Sequence, residues 1–117
     1  MAEKIRVASG NHPIRQGDVL LIPTTEESGE PAPADKRGLV LAEGERSGHW
    51  HAVIGSGHKL FQRAGTERML QVVGRGATLK VIGDESRHAP ITVPPGRWLV
   101  RVQRAWTSEN ASRQVID

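Results

Sequence analysis

Short apolar runs rich in Val, Ile and Leu are separated along the chain by glycines and prolines, and no long helical period joins them. Runs of this length, with turn residues about every eight to twelve positions, are typical of strands in a sandwich or small barrel. We predict nine strands, at residues 3–8, 18–23, 38–43, 48–54, 58–63, 68–73, 77–82, 90–93 and 97–106. The pattern therefore predicts an all-β fold, either a small β-barrel or a two-sheet sandwich.

Two segments lack the strand pattern. Residues 24–38 (TTEESGEPAPADKRG) carry acids, Pro and Gly with almost no large apolar side chain, which predicts a mobile surface loop. Residues 107–117 form a polar tail. A chain of 117 residues has the length of one domain, so we predict a single β-rich domain over residues 1–117. Glycines in "IGSGHK" predict a tight hairpin between the strands at 48–54 and 58–63.

The last predicted strand alternates between apolar and polar positions, which is typical of a half-buried strand. Its apolar face carries Trp98, Val100, Val102 and Trp106, and its polar face carries Arg97, Arg101 and Gln103. Further core positions are predicted at Trp50, Ile54 and Leu41. A long, partly apolar strand at a sheet edge invites pairing with another chain, so we predict a homo-oligomer with Trp106 near the contact. The alternative is that the tail covers this edge.

Composition excludes several classes of chemistry. The chain has no cysteine, which excludes disulfides, thiolate metal sites and cysteine nucleophiles. It has no signal-peptide apolar region and no run of about 18 apolar residues. We therefore expect a soluble, cytoplasmic protein with no membrane partner. Motifs for phosphate-binding loops, dinucleotide folds, serine hydrolases and zinc proteases are absent.

The segment "EGERSGHWH" at 43–51 carries the clearest candidate chemistry, because His49 and His51 lie two residues apart in a predicted strand. Side chains two apart in a strand project to the same face, with Cα atoms about 7 Å apart, so both imidazoles can approach one metal ion. We expect Trp50, Ala52 and Ile54 to face the core and the histidines to face away from it.

A metal site at these histidines needs further ligands, and the candidates are His88, His12, Glu43 and Glu45. Imidazole ligands favour a transition metal such as zinc, nickel, copper or iron over calcium or magnesium. The alternatives are solvated or structural histidines, and a metal-free role in phosphate contact or general base chemistry. The pattern leaves open whether such a site is catalytic.

Two motifs resemble those of cupins: "GERSGHWH", with a glycine before H-x-H, and "PPGRWLV" at the start of a strand. The resemblance covers about twenty residues. It lacks the glutamate that cupins carry after H-x-H, and Leu99 or its neighbours replace the later histidine. It implies a β-barrel and no transferable activity. The combination of "GHWH" with "HAPITVPPG" also resembles short uncharacterised bacterial proteins, which brings His12, His49, His51 and His88 together as metal-site candidates.

The balance of charge suggests a second function. The formal net charge is +3 and the sequence pI is about 10.0, and Arg97, Arg101 and Arg104 concentrate basic side chains near the last strand. This basic strand face predicts a nucleic-acid-binding β-barrel module, whose phosphate contacts would weaken with salt. Only three Trp and one Phe are present, which disfavours a base-stacking platform.

Overall fold

The structure, a computed structural model, describes residues 6–7, 11–26, 29–44, 48–63, 67–83 and 88–103. Within these ranges the chain forms eleven strands and no helix. The strands are β1 (Arg6–Val7), β2 (Ile14–Gln16), β3 (Val19–Thr24), β4 (Glu30–Pro31), β5 (Leu39–Glu43), β6 (Trp50–Ile54), β7 (Lys59–Gln62), β8 (Arg68–Val72), β9 (Ala77–Ile82), β10 (Ile91–Val93) and β11 (Gly96–Val102).

These strands form two sheets that enclose one core. Sheet A has the order β1-β10-β9-β6-β5, and sheet B has the order β2-β3-β11-β8-β7-β4. All neighbours are antiparallel except β1 and β10, which are parallel. The all-β prediction is confirmed, and its two-sheet sandwich alternative describes the architecture.

The core lies between the two sheets because the inward positions of both are apolar. In β9 the inward residues Ala77, Leu79 and Val81 are buried while the residues between them are half-buried, which is the period-two pattern of a strand with one face covered. Sheet B contributes Leu70, Val100 and Trp98, and the Trp98 indole N–H donates to the Pro94 carbonyl at 3.1 Å. Full burial of one large apolar side chain contributes roughly 1.5–3 kcal/mol, so inward residues such as Leu79 and Trp98 each stabilise the fold on that scale.

Glycines with positive φ lie both in segments that cross from one sheet to the other and in hairpin turns. The segment "IGSGHK" does not form the predicted hairpin, because β6 belongs to sheet A and β7 to sheet B. Gly55 (φ 135°) and Gly57 (φ 84°) let the chain change direction there in conformations that residues with a Cβ rarely adopt. A tight hairpin does join β2 to β3, with Gly17 (φ 57°) first in its two-residue turn, as a type II′ turn requires.

The ends of the chain and the polar segment differ from prediction in detail. The 24–38 segment contains a short strand, β4, which pairs with β7. The last strand ends at Val102 within the described residues, and Val102 is 37 % exposed and not part of the core. Moreover, β11 is hydrogen-bonded on both sides, to β3 and β8, so it is not the predicted sheet edge. Trp106 and the tail at 107–117 lie outside the described residues.

In the parts of the chain that the structure describes, no helix has the length and apolarity that crossing a lipid bilayer requires.

Candidate functional site

His51 lies inside the sandwich, which corrects the predicted direction of strand β6. His51 and Val53 are buried at 6 % and 5 % exposure, whereas Ile54 is 47 % exposed. The register explains this orientation, because His51 pairs with Val81 of β9, whose side chain faces the core. Trp50 is half-buried on the other face, where the Arg37 guanidinium lies 4.9 Å from its ring centre. The predicted core positions Trp50 and Ile54 are therefore wrong, while Leu41 and Val100 are confirmed.

The buried imidazole of His51 is paired with Gln16, a residue that sequence reasoning did not select. Gln16 is 2 % exposed, and within the described ranges these two residues are the only buried polar side chains. The side-chain amide nitrogen of Gln16 donates to the carbonyls of Leu79 and Ala89, both at 2.9 Å. Because the amide group must donate to these carbonyls, its Oε1 is the atom that lies 2.9 Å from His51 Nδ1.

This bond determines the tautomer of the imidazole. Oε1 of Gln16 can only accept, so His51 Nδ1 carries the hydrogen and, in the neutral ring, Nε2 carries the lone pair. Histidines that bind metals usually donate their second ring N–H to such a carbonyl, which orients the ring and raises the basicity of the ligating nitrogen. The Gln16–His51 pair therefore has the arrangement of a ligand with its supporting group.

His88 is the predicted site residue that the structure brings to His51. The two rings are stacked, with centres 6.2 Å apart and planes inclined at 29°. Both lie over the hairpin turn: a Cβ at Gly17 would be 2.9 Å from His88 Nε2 and 3.3 Å from His51 Cε1. The glycine thus combines the φ that the turn needs with the space that the two imidazoles need.

The other two candidate histidines are placed differently. His12 is exposed, and His49 is half-buried just before β6, with its carbonyl accepting from Gly44 N at 2.7 Å. Across the described ranges no group of three or more His, Asp or Glu side chains is placed to hold a metal ion. The structure therefore brings together His51 and His88, and a site that adds His12 and His49 stays a prediction.

The acidic candidates do not join this pair in the described structure. Glu43 accepts from Arg37 at 2.6 Å, and this interaction lowers the pKa of the Glu43 carboxyl group. The same guanidinium donates to Asp35 and lowers the pKa of that carboxyl group to about 2. Glu45 lies outside the described residues. Glu43 is thus part of a surface ion-pair network beside Trp50.

The basic face proposed for nucleic acid is only partly described. On β11, Arg97 is half-buried and Arg101 is exposed, while Arg104 lies outside the described residues. Arg101 Nη2 lies 4.0 Å from the Glu67 carboxylate, and Arg97 Nη1 lies 3.5 Å from the Glu26 carbonyl. These contacts bring an acidic residue close to the face and reduce its positive potential. Nucleic-acid binding stays a prediction.

A local signal could have found Gln16. In the sequence "IRQGDVLL", Ile-Arg-Gln is followed by Gly-Asp and then by the apolar start of a strand. Gly at the first position of a Gly-Asp turn favours a two-residue hairpin. Pairing Gln16 with Val19 across that turn puts its side chain on the core face, since Val19 is fully buried. The partnership with His51 is not visible in the sequence, because 35 positions separate the two residues.

The fold and site define a small two-sheet β-sandwich with a buried glutamine–histidine pair at the turn between β2 and β3. The chain belongs to the DUF8820 family, described as a domain of unknown function, which it matches over residues 15–103. That range includes Gln16, His51 and His88 and excludes His12. No curated protein and no solved structure matches the chain.

Proposed function

We propose that this protein is a small metal-binding β-domain that uses His51 and His88 as ligands to a transition metal. The observation that carries the proposal is the hydrogen bond from His51 Nδ1 to Gln16 Oε1, at 2.9 Å. It places the lone pair of the neutral ring on Nε2 and fixes the ring's orientation, as the supporting group of a metal-bound histidine does.

The spacing of the two rings is compatible with a shared ion. Zinc–nitrogen bonds of about 2.0–2.1 Å, added to the size of each ring, put the centres of two imidazoles bound at a tetrahedral angle roughly 5 Å apart. The observed separation is 6.2 Å. Because the rings are stacked at 29°, binding a common ion requires rotation of a ring, and His88 is the less buried of the two.

The donor set selects the kind of metal. Two imidazoles suit zinc, nickel, copper or iron, and the same ligands disfavour calcium and magnesium. Two protein ligands leave coordination positions for water or a small molecule, so we expect an exchangeable ion held more weakly than in a closed four-ligand site.

Metal analysis of untagged protein tests the proposal. By equilibrium dialysis against a series of zinc concentrations, we expect one bound ion per chain at saturation in the wild-type protein, with His51→Gln and His88→Gln each lowering zinc affinity at least tenfold. The matched control is His58→Gln, because His58 lies in the β6–β7 crossing, where its Nδ1 accepts from Val73 N at 3.1 Å. An unchanged zinc stoichiometry in the His51→Gln/His88→Gln double variant would contradict the proposal.

The same measurement tests the wider histidine set. We expect His12→Gln and His49→Gln to retain zinc if His51 and His88 are sufficient, and a loss in either variant would extend the site to that histidine. Each variant is compared with wild-type protein for folding by its near-ultraviolet circular dichroism, so that loss of metal is separated from loss of structure.

Oligomerisation and cytoplasmic location stay predictions. The proposed edge at β11 is occupied by β3 and β8, so a homo-oligomer would have to form through another surface. Light scattering over a tenfold range of concentration distinguishes a monomer from a dimer.

A further inference from the structure

A concave site lies between the two sheets, and neither Gln16 nor His88 is among the residues that line it. It is a cavity of about 420 Å³, near the lower end of the roughly 300–1,000 Å³ typical of small-molecule sites. Its walls come from the segment after β4 and from strands β5, β7 and β8. The apolar part of the lining consists of Ala32, Pro33, Ala34, Leu39, Val40 and Leu60.

Arg68 is the one cation among the described residues that line this cavity. Arg68 pairs in register with Val100, a core residue, so its side chain starts on the inner face of sheet B. The guanidinium extends across to the other sheet, where Nη1 donates to the Val40 carbonyl at 3.4 Å and Nη2 donates to the Leu41 carbonyl. These two bonds use two of the five N–H groups of the guanidinium.

No anion of the described chain neutralises Arg68. Within the described ranges, no Asp or Glu carboxylate lies within ion-pairing distance of it, and its neighbour Glu67 pairs with Arg63 and Arg101 instead. Burial lowers the pKa of the Arg68 guanidinium because the charged form loses hydration there. A partly buried charge without a counter-ion is costly, and a bound anion would remove part of that cost.

Among the described residues that line the cavity, Asp35 carries the only carboxylate, and it is already engaged. Asp35 accepts three hydrogen bonds from Arg37, from its backbone N at 2.9 Å, its Nε at 3.0 Å and its Nη2 at 2.9 Å. Arg37 thus offsets the negative charge of Asp35 at the cavity. Besides an apolar wall and the polar side chain of Gln62, the cavity offers a ligand the remaining N–H groups of Arg68.

We propose that this cavity binds a small ligand with an apolar body and a carboxylate, and that Arg68 holds the carboxylate. The planar guanidinium suits a carboxylate, with which it forms parallel hydrogen bonds. Leu39 and Leu60, which are only partly buried against the core, cover the apolar body. Such a ligand is either a free carboxylic acid or the carboxyl terminus of a peptide.

Matched pairs of probes test the proposal and distinguish the two sources. Octanoate and octanamide differ in the carboxylate alone, as do N-acetyl-leucine and its amide, and each is titrated into ¹⁵N-labelled full-length protein by NMR. We expect at least one acid to bind at least tenfold more tightly than its amide. Preference for octanoate indicates a free acid, and preference for N-acetyl-leucine indicates a peptide terminus. Equal affinity within both pairs, or no binding of either acid at millimolar concentration, would overturn the proposal.

Variants and shift mapping locate the site. Arg68→Met should reduce the acid-to-amide ratio to about one, whereas Arg75→Met, which removes the same charge from an exposed position after β8, should leave it unchanged. If Arg68→Met does not fold, the wild-type spectra decide the question: the Nε–H signal of Arg68 and the amides of Leu39 and Leu60 should shift most. Largest shifts elsewhere on the protein would refute the assignment of the cavity.

Discussion

Replacing Gln16 with methionine removes the polar group that satisfies three partners inside the sandwich. The amide of Gln16 donates to two backbone carbonyls and accepts from His51 Nδ1, and Gln16 is 2 % exposed, so water does not take its place. Methionine has nearly the same length and no comparable hydrogen-bonding group, so the change isolates the polar contribution.

The loss of unfolding free energy expected for Gln16→Met follows from these contacts. A buried polar group left without its partner costs roughly 1–3 kcal/mol, so at the low end of that range the three partners left by Gln16 cost about 3 kcal/mol. The more apolar methionine side chain recovers about 1 kcal/mol through burial. The free energy of unfolding should therefore fall by about 2 kcal/mol, and at roughly 4 °C per kcal/mol the Tm should fall by about 8 °C.

Urea unfolding followed by tryptophan fluorescence measures the loss, since Trp98 is 1 % exposed in the folded protein. Gln62→Met, at an exposed position of β7, is the matched control, and its effect should stay within about 0.5 kcal/mol. Long-range ¹H–¹⁵N NMR of the imidazole should show the Nδ1–H tautomer of His51 in the wild-type protein. Equal stability of Gln16→Met and wild type, or an Nε2–H tautomer in wild type, would refute the reasoning.

Two further predictions concern a turn and a surface ion pair. Gly17→Ala should lower the free energy of unfolding by more than Gly74→Ala. Both glycines have positive φ, 57° and 67°, which costs alanine about 1–2 kcal/mol, but a Cβ at Gly17 would also contact two imidazoles, whereas one at Gly74 would meet nothing within 4 Å. If urea unfolding shows the same loss of unfolding free energy in both variants, the two imidazoles move away from the added Cβ at no cost. Arg37→Gln should raise the pKa of Asp35 from about 2 toward its ordinary 3.8, as measured by carbon NMR of the carboxyl group. Because folding lowers this pKa, the contribution of the pair to stability is present above about pH 4 and lost as the pH falls toward 2. An Asp35 titration that does not change in the variant would contradict the attribution to Arg37.

The positions of most strands were predictable because local patterns determine them. In β9, for example, residues Ala77–Ile82 alternate as Ala-Thr-Leu-Lys-Val-Ile, and the structure begins and ends the strand at the predicted residues. Turn glycines were visible too, but their role depends on which strands they join. A glycine-rich segment such as "IGSGHK" is compatible both with a hairpin and with a crossing between sheets. The pairing of β6 with β9, rather than with β7, shows that this segment is a crossing.

The two histidines of the candidate site were predictable from the sequence, but Gln16 and the arrangement of the three residues were not. His51 and His88 were both selected from the sequence, and the structure stacks their rings. The prediction of which face of β6 points to the core was wrong, because Trp50 and Ile54 are larger and more apolar than His51 and were therefore expected inside. An imidazole becomes tolerable in a core when a distant residue supplies its hydrogen bond, and Gln16 does so from another sheet.

The reach of Arg68 across the sandwich also bears on aggregation. Strand β5 ends sheet A, and the outer carbonyls of such a strand are a template on which a strand from another molecule can add. The register of β5 shifts between Val40 and Ala42, and Arg68 donates to the carbonyls of Val40 and Leu41 at this irregularity. A broken register and occupied carbonyls both hinder continuous pairing with a foreign strand. We therefore expect the register shift and the two Arg68 bonds together to make this edge a poorer template for fibril-like growth.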